Sequence, residues 1–413
     1  MEKLLGRCHL LFICHESWPT FRPDVAVLFG KYLPRFGVTC DIVTETDATT
    51  TTTTTTTASP AVWEAGRTIL CRASASRGRQ YLIKTMHNLW VLARCDPKKY
   101  DAIQVRDMPV AAFFGIVVAA VKRLPFFYWM SFPQSEGQIA RARARGPAAG
   151  LRYWFPLIQG LIGQWLLYKI VLPRATHVFA QSEQMLRDLS AKGLSLEKMS
   201  AVPMGVDLER AAPESIAPSD DVRLAGKRVL IHLGSLDRNR KIEMLFEMVK
   251  LVHQQEKNVL LVLAGGVDDV EHSRWLRQEA DRLGVADLVV WTGWLPVASA
   301  WRYLRAAEIG LSPIPRGVLL DCASPTKLIE YLAFGLPAIV NDNPDQRQVV
   351  LEGECGTCVP WQAAAFSDAA LAMLADPARR QSMGSKGRAF VSRHRGYDSI
   401  ARALAETYAR LLR

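Results

Sequence analysis

Residues 324–342, SPTKLIEYLAFGLPAIVND, run a proline-marked turn, a short amphipathic helix with one carboxylate, a Gly-x-Pro break and an apolar strand in succession. Gly335 is placed to cap the helix and Pro337 blocks its continuation, so the apolar run that follows starts a new element. Taken alone, Glu330 reads as a solvated carboxylate on the polar face of that helix. The SPTK turn opens a second reading. Past Pro325, the hydroxyls of Ser324 and Thr326 and the amides of the first helical turn suit phosphate oxygens, and Lys327 adds charge. Glu330, on the same helical surface, is then suited to accept hydrogen bonds from ribose hydroxyls.

The helix-then-strand unit repeats outward in both directions. Before it come KRVLIHLG, NVLLVLAGG, DLVVWTGW and AEIGLSP, and after it GTCVPW. The first half has the same rhythm in CHLLFICH, VTCDIVT, YDAIQVRD, PFFYWMSF, THVFAQS and MSAVPMG. Short apolar runs separated by helical stretches predict βαβ units and parallel sheets. The 413 residues exceed one ordinary core, so two doubly wound, Rossmann-like α/β domains are expected, facing across a cleft. The boundaries read as 1–208 and 227–395, with the Pro-rich stretch 209–226 as an exposed linker. The threonine run Thr49–Thr57, within a loop spanning 46–60, has neither alternation nor charge and reads as a low-complexity surface loop.

Hydrophobic residues at 49% and charged residues at 22% describe a folded globular chain. The N-terminal apolar run is too short to span a membrane and has no cleavage pattern after it, so a cytoplasmic protein is expected. The eight cysteines are scattered, several in apolar runs. Only Cys355 and Cys358 form a C-x-x-C pair, and with no second pair near it that segment reads as a turn entering a strand.

The formal net charge of +11 is concentrated in the first half. No acid occurs between Glu64 and Asp96, where Arg67, Arg72, Arg77, Arg79, Lys84 and Arg94 fall, nor between Glu136 and Glu183. The second interval holds Arg141, Arg143, Arg145, Arg152, Lys169 and Arg174. Phosphorylated substrates or an anionic membrane suit such a surface. Nucleic acid is not expected as a partner, since no zinc finger, basic zipper or RNP signature is present. Residues 151–172, LRYWFPLIQGLIGQWLLYKIVL, follow the arginines and are apolar nearly all round, but too short and interrupted to read as a membrane span. Tyr153, Trp154 and Phe155 beside the basic cluster suit peripheral contact at the cytoplasmic face of an anionic membrane; a core helix flanked by a solvated loop fits as well.

In HLGSLDRNRKIEMLFEMVKLV a glycine follows an apolar strand and a basic cluster precedes a helix. Gly234 allows a tight turn, and Arg238, Arg240 and Lys241 stand where a diphosphate would be held, or else form a solvated basic turn. Cations aimed at a leaving diphosphate stabilise the charge that develops on it.

With LIHLGSLDRNRK, LVLAGG, VVWTGWLP, AAEIGLSPIP, the SPTK-to-strand block, FAQSEQML and VPMGVDLER together, the chain resembles the retaining, GT-B-fold glycosyltransferases of family 4. The resemblance implies that Glu330 binds the nucleotide ribose, that Lys241 is the diphosphate lysine, and that Gly265 and Gly266 form the glycine pair after a strand. It implies that main chain near Trp294 and Leu295 meets the nucleobase, and that the last helix, 396–413, packs back on the N-terminal domain. This chain departs from the family pattern in several places. Cys322 stands where a first glutamate would be, Ser235 where an arginine often follows Gly234, and Ser131 where a histidine approaches the reacting sugar. ESWPTFRPDV replaces a Gly-Gly loop, which leaves Arg22, Asp24, Ser131 and Glu136 as the acceptor-side candidates.

The implied activity is transfer of a hexose from a UDP- or GDP-linked donor to a polysaccharide or lipid-linked acceptor, with retention and with neither metal nor cofactor. A nucleotide-sugar-binding protein without chemistry is the alternative. A nicotinamide oxidoreductase is disfavoured, because no G-x-G-x-x-G opens a helix after the early strands.

Overall fold

The computed structural model describes residues 7–46, 62–72, 77–267 and 269–413, which leaves the expected threonine-rich loop outside the described residues. The chain divides into two compact α/β units, Met1–Pro203 with Tyr397–Arg413, and Met204–Gly396.

In the first unit seven parallel strands form one sheet in the order β3-β2-β1-β4-β5-β6-β7. They are β1 Cys8–Trp18, β2 Val38–Thr46, β3 Thr68–Cys71, β4 Ala102–Arg106, β5 Phe126–Met130, β6 His177–Ala180 and β7 Met199–Ala201. β4, β5 and β6 are buried at every position, as parallel strands covered on both faces are, although β4 carries Gln104 and Arg106 and β6 carries His177. β3 is an addition to the expected strands, a short edge strand with Leu70 exposed. Helices α1 Arg77–Ala93, α2 Pro109–Lys122, α3 Gln134–Arg145 and α4 Leu151–Leu166 flank this sheet. The C-terminal helix Tyr397–Leu411 puts Tyr397, Leu404 and Tyr408 into the core on the sheet's other side, where Tyr408 meets Phe127 at 5.5 Å between ring centroids.

The interruptions read in 151–172 do not break the helix. With its irregular continuation, α4 runs from Leu151 to Arg174, 24 residues that include an 18-residue window of mean hydropathy 1.3, of which 22% is buried in the protein. Gly160 and Gly163 let it lie against α3: a Cβ on Gly160 would stand 2.7 Å from Ile139 Cγ1 and 3.0 Å from the Ser135 carbonyl. Its other face carries Trp154, Phe155, Ile158, Ile162 and Trp165, all exposed. The helix is therefore buried on one face only, and Arg141, Arg143 and Arg145 stand on helix α3 and not on a loop.

The second unit has six parallel strands in the order β10-β9-β8-β11-β12-β13. They are β8 Arg228–Leu233, β9 Val259–Ala264, β10 Val289–Trp291, β11 Ile309–Ser312, β12 Ala338–Asn341 and β13 Gly356–Val359. The order reverses between β8 and β11, and such a switch point opens a crevice at the carboxyl ends of the strands. Stretch 209–226 is not the exposed linker its composition suggested. Ala211 and Leu224 lie in the core of the second unit, Tyr303 bonds to Asp221 at 3.0 Å, and the Ser219 amide donates to the Arg302 carbonyl at 2.9 Å. The chain passes between units at Pro203 instead.

Candidate nucleotide-sugar site

A cavity of about 730 Å³ lies at the carboxyl ends of β8, β9 and β10. Three turns form its wall: Gly234 and Ser235 after β8, Gly265 and Gly266 after β9, and Gly293, Trp294 and Leu295 after β10. The first two turns touch so closely that a Cβ on Gly265 would lie 1.9 Å from the Gly234 carbonyl oxygen, so glycine is required there. Trp294, with 74% of its surface exposed, offers a free indole at the rim.

Glu330 enters the cavity from the helix α6, Thr326–Ala333, which follows β11. This helix ends as its sequence dictates: Gly335 is left-handed at φ 68°, its amide donates to Leu332, and that of Leu336 donates to Tyr331, both at 2.9 Å. No side chain caps its N-terminus, so the amides of its first turn keep their capacity for an anion. Glu330 is partly buried, not a surface group. Trp301 Nε1, on the helix α5 Val297–Ala306, donates to its Oε2 at 2.8 Å. Burial pushes its carboxyl up to about 7, against the lowering effects of Trp301, Lys327 and Thr326.

Two cations stand beneath this wall. Lys327 Nζ lies 3.3 Å from His232 Nε2, and its side chain would be 3.7 Å from a Cβ on Gly234. Burial, with the positive charge of Arg240, brings its ammonium down to about 7. Arg240 is itself lowered by burial. Lys241, expected as the diphosphate lysine, is exposed, has a left-handed backbone at φ 47°, and holds its Nζ 6.0 Å from the Trp361 ring centre. The cation whose charge acts on Lys327 is Arg240. Arg238 is exposed and paired with Asp269 at 3.2 Å.

Ser324 does not present its hydroxyl to a phosphate. It accepts from the Met204 amide at 3.0 Å and from Arg395 at 3.2 Å, and donates to Asp345 at 3.0 Å. Cys322 is buried with its thiol on the Leu319 carbonyl, outside the cavity lining, so it does not replace a carboxylate there. Pro325 occupies the position before the helix without capping it, and Thr326 bonds to Glu330.

Residues 25–205 match the model of the "Glycosyl transferase 4-like domain" and residues 227–376 that of "Glycosyl transferases group 1". The chain belongs to the family 4 GT-B glycosyltransferases. In Mycobacterium tuberculosis the GDP-mannose-dependent alpha-(1-6)-phosphatidylinositol monomannoside mannosyltransferase is 26% identical over 234 residues, 55% of this chain and 60% of that relative. The phosphatidyl-myo-inositol mannosyltransferase of the same organism is 30% identical over 199 residues, 47% of this chain and 49% of that one. The matches thus span 60% and 49% of these relatives' lengths. Among solved structures, sucrose-phosphate synthase from Thermosynechococcus elongatus superposes with a TM-score of 0.71 at 20% identity, covering 98% of this chain and 99% of that one. Anabaena HepE in complex with UDP-glucose gives 0.66 at 15%, covering 97% and 99%. Both likenesses are of fold.

The acceptor-side candidates of this family member are mostly engaged. Asp24 is buried and takes two bonds from Arg106, at 3.1 and 2.9 Å, and Arg106 reaches Glu16 at 2.7 Å. Arg22 approaches the same Glu16 at 3.4 Å and remains exposed. The Ser131 amide donates to Asp107 at 2.8 Å, and its hydroxyl bonds to the same carboxylate. Glu136 is a clamp, accepting from Tyr168 at 2.6 Å, Lys192 at 3.0 Å and Gln164 at 3.3 Å. Asp24 and Glu136 are thus each held through one carboxylate oxygen, Oδ2 and Oε1, while the other oxygen is buried without a partner. Sequence reasoning missed Trp301, His232, Arg106 and Arg277, the last of which lines the cavity and lies 4.9 Å over the Trp291 ring. Their partners are distant in sequence, and only the unusual charge of Arg106 inside an apolar strand was a signal.

Proposed function

We propose that the chain moves a hexose from a UDP- or GDP-linked donor to a glycan or lipid-linked acceptor, with retention at the sugar carbon and without a metal. The observation that carries this is Glu330, held by Trp301 in a glycine-walled cavity with Lys327 and Arg240 beside it. The ribose meets Glu330, the base lies by Trp294, and the diphosphate meets the first turn of α6 and the two cations. As the bond from the sugar carbon to the diphosphate oxygen breaks, its electron pair stays on the diphosphate, where Arg240 and Lys327 offset the charge. The acceptor hydroxyl then bonds to the same face of the oxocarbenium-like carbon and passes its proton to a phosphate oxygen. The cations supply what a metal would supply at this leaving group.

The names of the relatives support a mannosyl donor and a phosphatidylinositol-type acceptor, and the exposed apolar face of α4 supports work at the cytoplasmic face of a membrane. The test is a thermal-shift panel of UDP, GDP and their sugars, followed by transfer assays with and without EDTA. A ligand at about 100 times its dissociation constant stabilises by about 2.7 kcal/mol. No shift with any of them sinks the donor reading, and loss of transfer in EDTA sinks metal independence. A binding protein without chemistry remains the second reading, favoured by the buried Cys322; donor binding with neither transfer nor hydrolysis would establish it.

A further inference from the structure

A second cavity, of about 380 Å³, lies in the first unit between α1, α2, α3 and α4. That is the lower end of the range for small-molecule sites, ~300–1,000 Å³. Its lining changes character along its length. Toward the carboxyl edge of the sheet it has His15 and Asp107, each two residues past the point where β1 and β4 stop pairing with each other, with Gln134 and Ser135 from the start of α3. Asp107 is buried in a left-handed backbone, φ 55°, with its amide on the Trp129 carbonyl at 3.1 Å. Toward the helices the wall is Phe114, Phe155, Ile158 and Ile162. Of these, Phe155, Ile158 and Ile162 are also exposed, so the apolar part of the cavity is open at the face that carries Trp90 and Trp165. Arg141, Arg143, Arg145 and Arg152 lie on α3 and the start of α4, next to that face.

We propose that this cavity takes one hydrocarbon chain of an amphiphilic, lipid-linked acceptor, with the polar head at the His15 and Asp107 end. A sugar or a free nucleotide would leave the apolar wall in water, and a wholly apolar ligand would cover the exposed His15 and half-buried Gln134 at the other end without replacing their hydrogen bonds to water. An amphiphile satisfies both ends, and the apolar end opens on the exposed face of α4, where a hydrocarbon chain can enter. The proposal rests on the reading of the chain as a transferase acting on lipid-linked acceptors.

The probes are maltose and the octyl, decyl and dodecyl maltosides, titrated calorimetrically below their micelle concentrations. Each added methylene should lower the dissociation constant about fourfold, equivalent to about 0.8 kcal/mol, until the cavity is full, and maltose should give no heat. Thr85→Trp, which fills the cavity from α1, should raise the dodecyl maltoside constant at least tenfold. Ile162→Asp should do the same through the opposite wall, which keeps the test decisive if one variant folds poorly. Val121→Asp, on the exposed surface of α2 outside the lining, should change it less than twofold. Affinity independent of chain length overturns the proposal, as does equal weakening by Val121→Asp and Thr85→Trp, which would mean a broad sticky face. Binding of the maltosides without any response to nucleotide sugars would overturn the donor reading and leave the chain site standing; the reverse result overturns the chain site alone.

Discussion

Trp301 and Glu330, 29 residues apart, are joined by a single hydrogen bond of 2.8 Å from the indole nitrogen to the carboxylate that faces the cavity. The bond turns a carboxylate on a short helix into an oriented acceptor. Glu330→Gln and Trp301→Phe separate charge from orientation. Glu330→Gln should abolish the stabilisation by the preferred nucleotide sugar with only a small change in melting temperature. Trp301→Phe removes a bond to a charged group, about 1.5–3 kcal/mol, and should weaken donor binding roughly tenfold to a hundredfold. Unchanged donor affinity in both variants would return Glu330 to the role of an ordinary polar residue.

Proton exchange on nucleotide binding should change sign near neutrality. Lys327, at about 7, is mostly neutral at pH 8, and a neighbouring phosphate favours its charged form. Binding at pH 8 should therefore take up a proton, and affinity should fall as pH rises. Glu330, also at about 7, is mostly protonated at pH 6, and ribose hydroxyls donating to it favour the ionised form. Binding at pH 6 should release a proton. Titrations in buffers of different ionisation enthalpy measure both. Lys327→Met should remove the uptake alone and Glu330→Gln the release alone; the same exchange in both variants would place it elsewhere. In the absence of ligand, the raised carboxyl makes the folded chain hold more protons than the unfolded one between 4.5 and about 7. The Glu330 contribution to stability therefore falls as pH rises through that window.

Arg240→Ala should lower kcat more than it raises KM, since charge on the departing diphosphate grows toward the transition state. Lys241→Ala should cost little, because its ammonium is exposed and lies beside Trp361 rather than Lys327. Steady-state kinetics with the accepted donor decide it. The reverse ranking would restore Lys241 to the role first expected of it.

Much of this was legible in the sequence, for physical reasons that differ by residue. Parallel strands covered on both faces are mostly apolar, so β8, β9 and β11 announced themselves, while the short edge strand β3, half in water, did not. The helix stop at Gly335 was readable because only a residue tolerant of a left-handed backbone fits there. The Pro-rich stretch 209–226 misled because composition reports backbone shape and not what the side chains Ala211 and Leu224 bury against. Arg240 and Lys241 were both legible as candidates for the diphosphate, but which of the two acts on Lys327 depends on a turn with a left-handed residue at Lys241, which charge patterning does not carry. Ser324 looked free because two of its partners, Met204 and Arg395, are 120 and 71 residues away.

The Arg395 and Asp345 pair should be the costliest single contact to break in the second unit. Their side chains are 8% and 5% exposed and meet at 2.7 Å, with Ser324 bonded to both. Arg395→Met leaves Asp345 buried without its cation, which should cost about 3–5 kcal/mol, and Arg395→Met with Asp345→Leu should recover much of it. Chemical denaturation of the three proteins measures this. A loss under about 1 kcal/mol in the single variant would mean that water reaches the pair.

The last expectation concerns the membrane. Arg141, Arg143 and Arg145 lie on α3, which α4 packs against, and α4 turns Trp154, Phe155, Ile158 and Trp165 outward. An apolar face flanked by cations suits a surface that is anionic in its headgroups and hydrocarbon below, and each arginine near such a surface contributes about 1 kcal/mol. The electrostatic part is screened by salt, while the apolar part is not. Sedimentation with phosphatidylglycerol-containing vesicles should show binding that weakens from low to high ionic strength to a residual level. Replacing the three arginines by serine should remove the salt-dependent part, and Phe155→Ser with Trp165→Ser should remove the residue. Absence of binding at low salt would detach the membrane claim from the transferase reading, because the cavity around Glu330 lies in the other unit and is built without any of these residues.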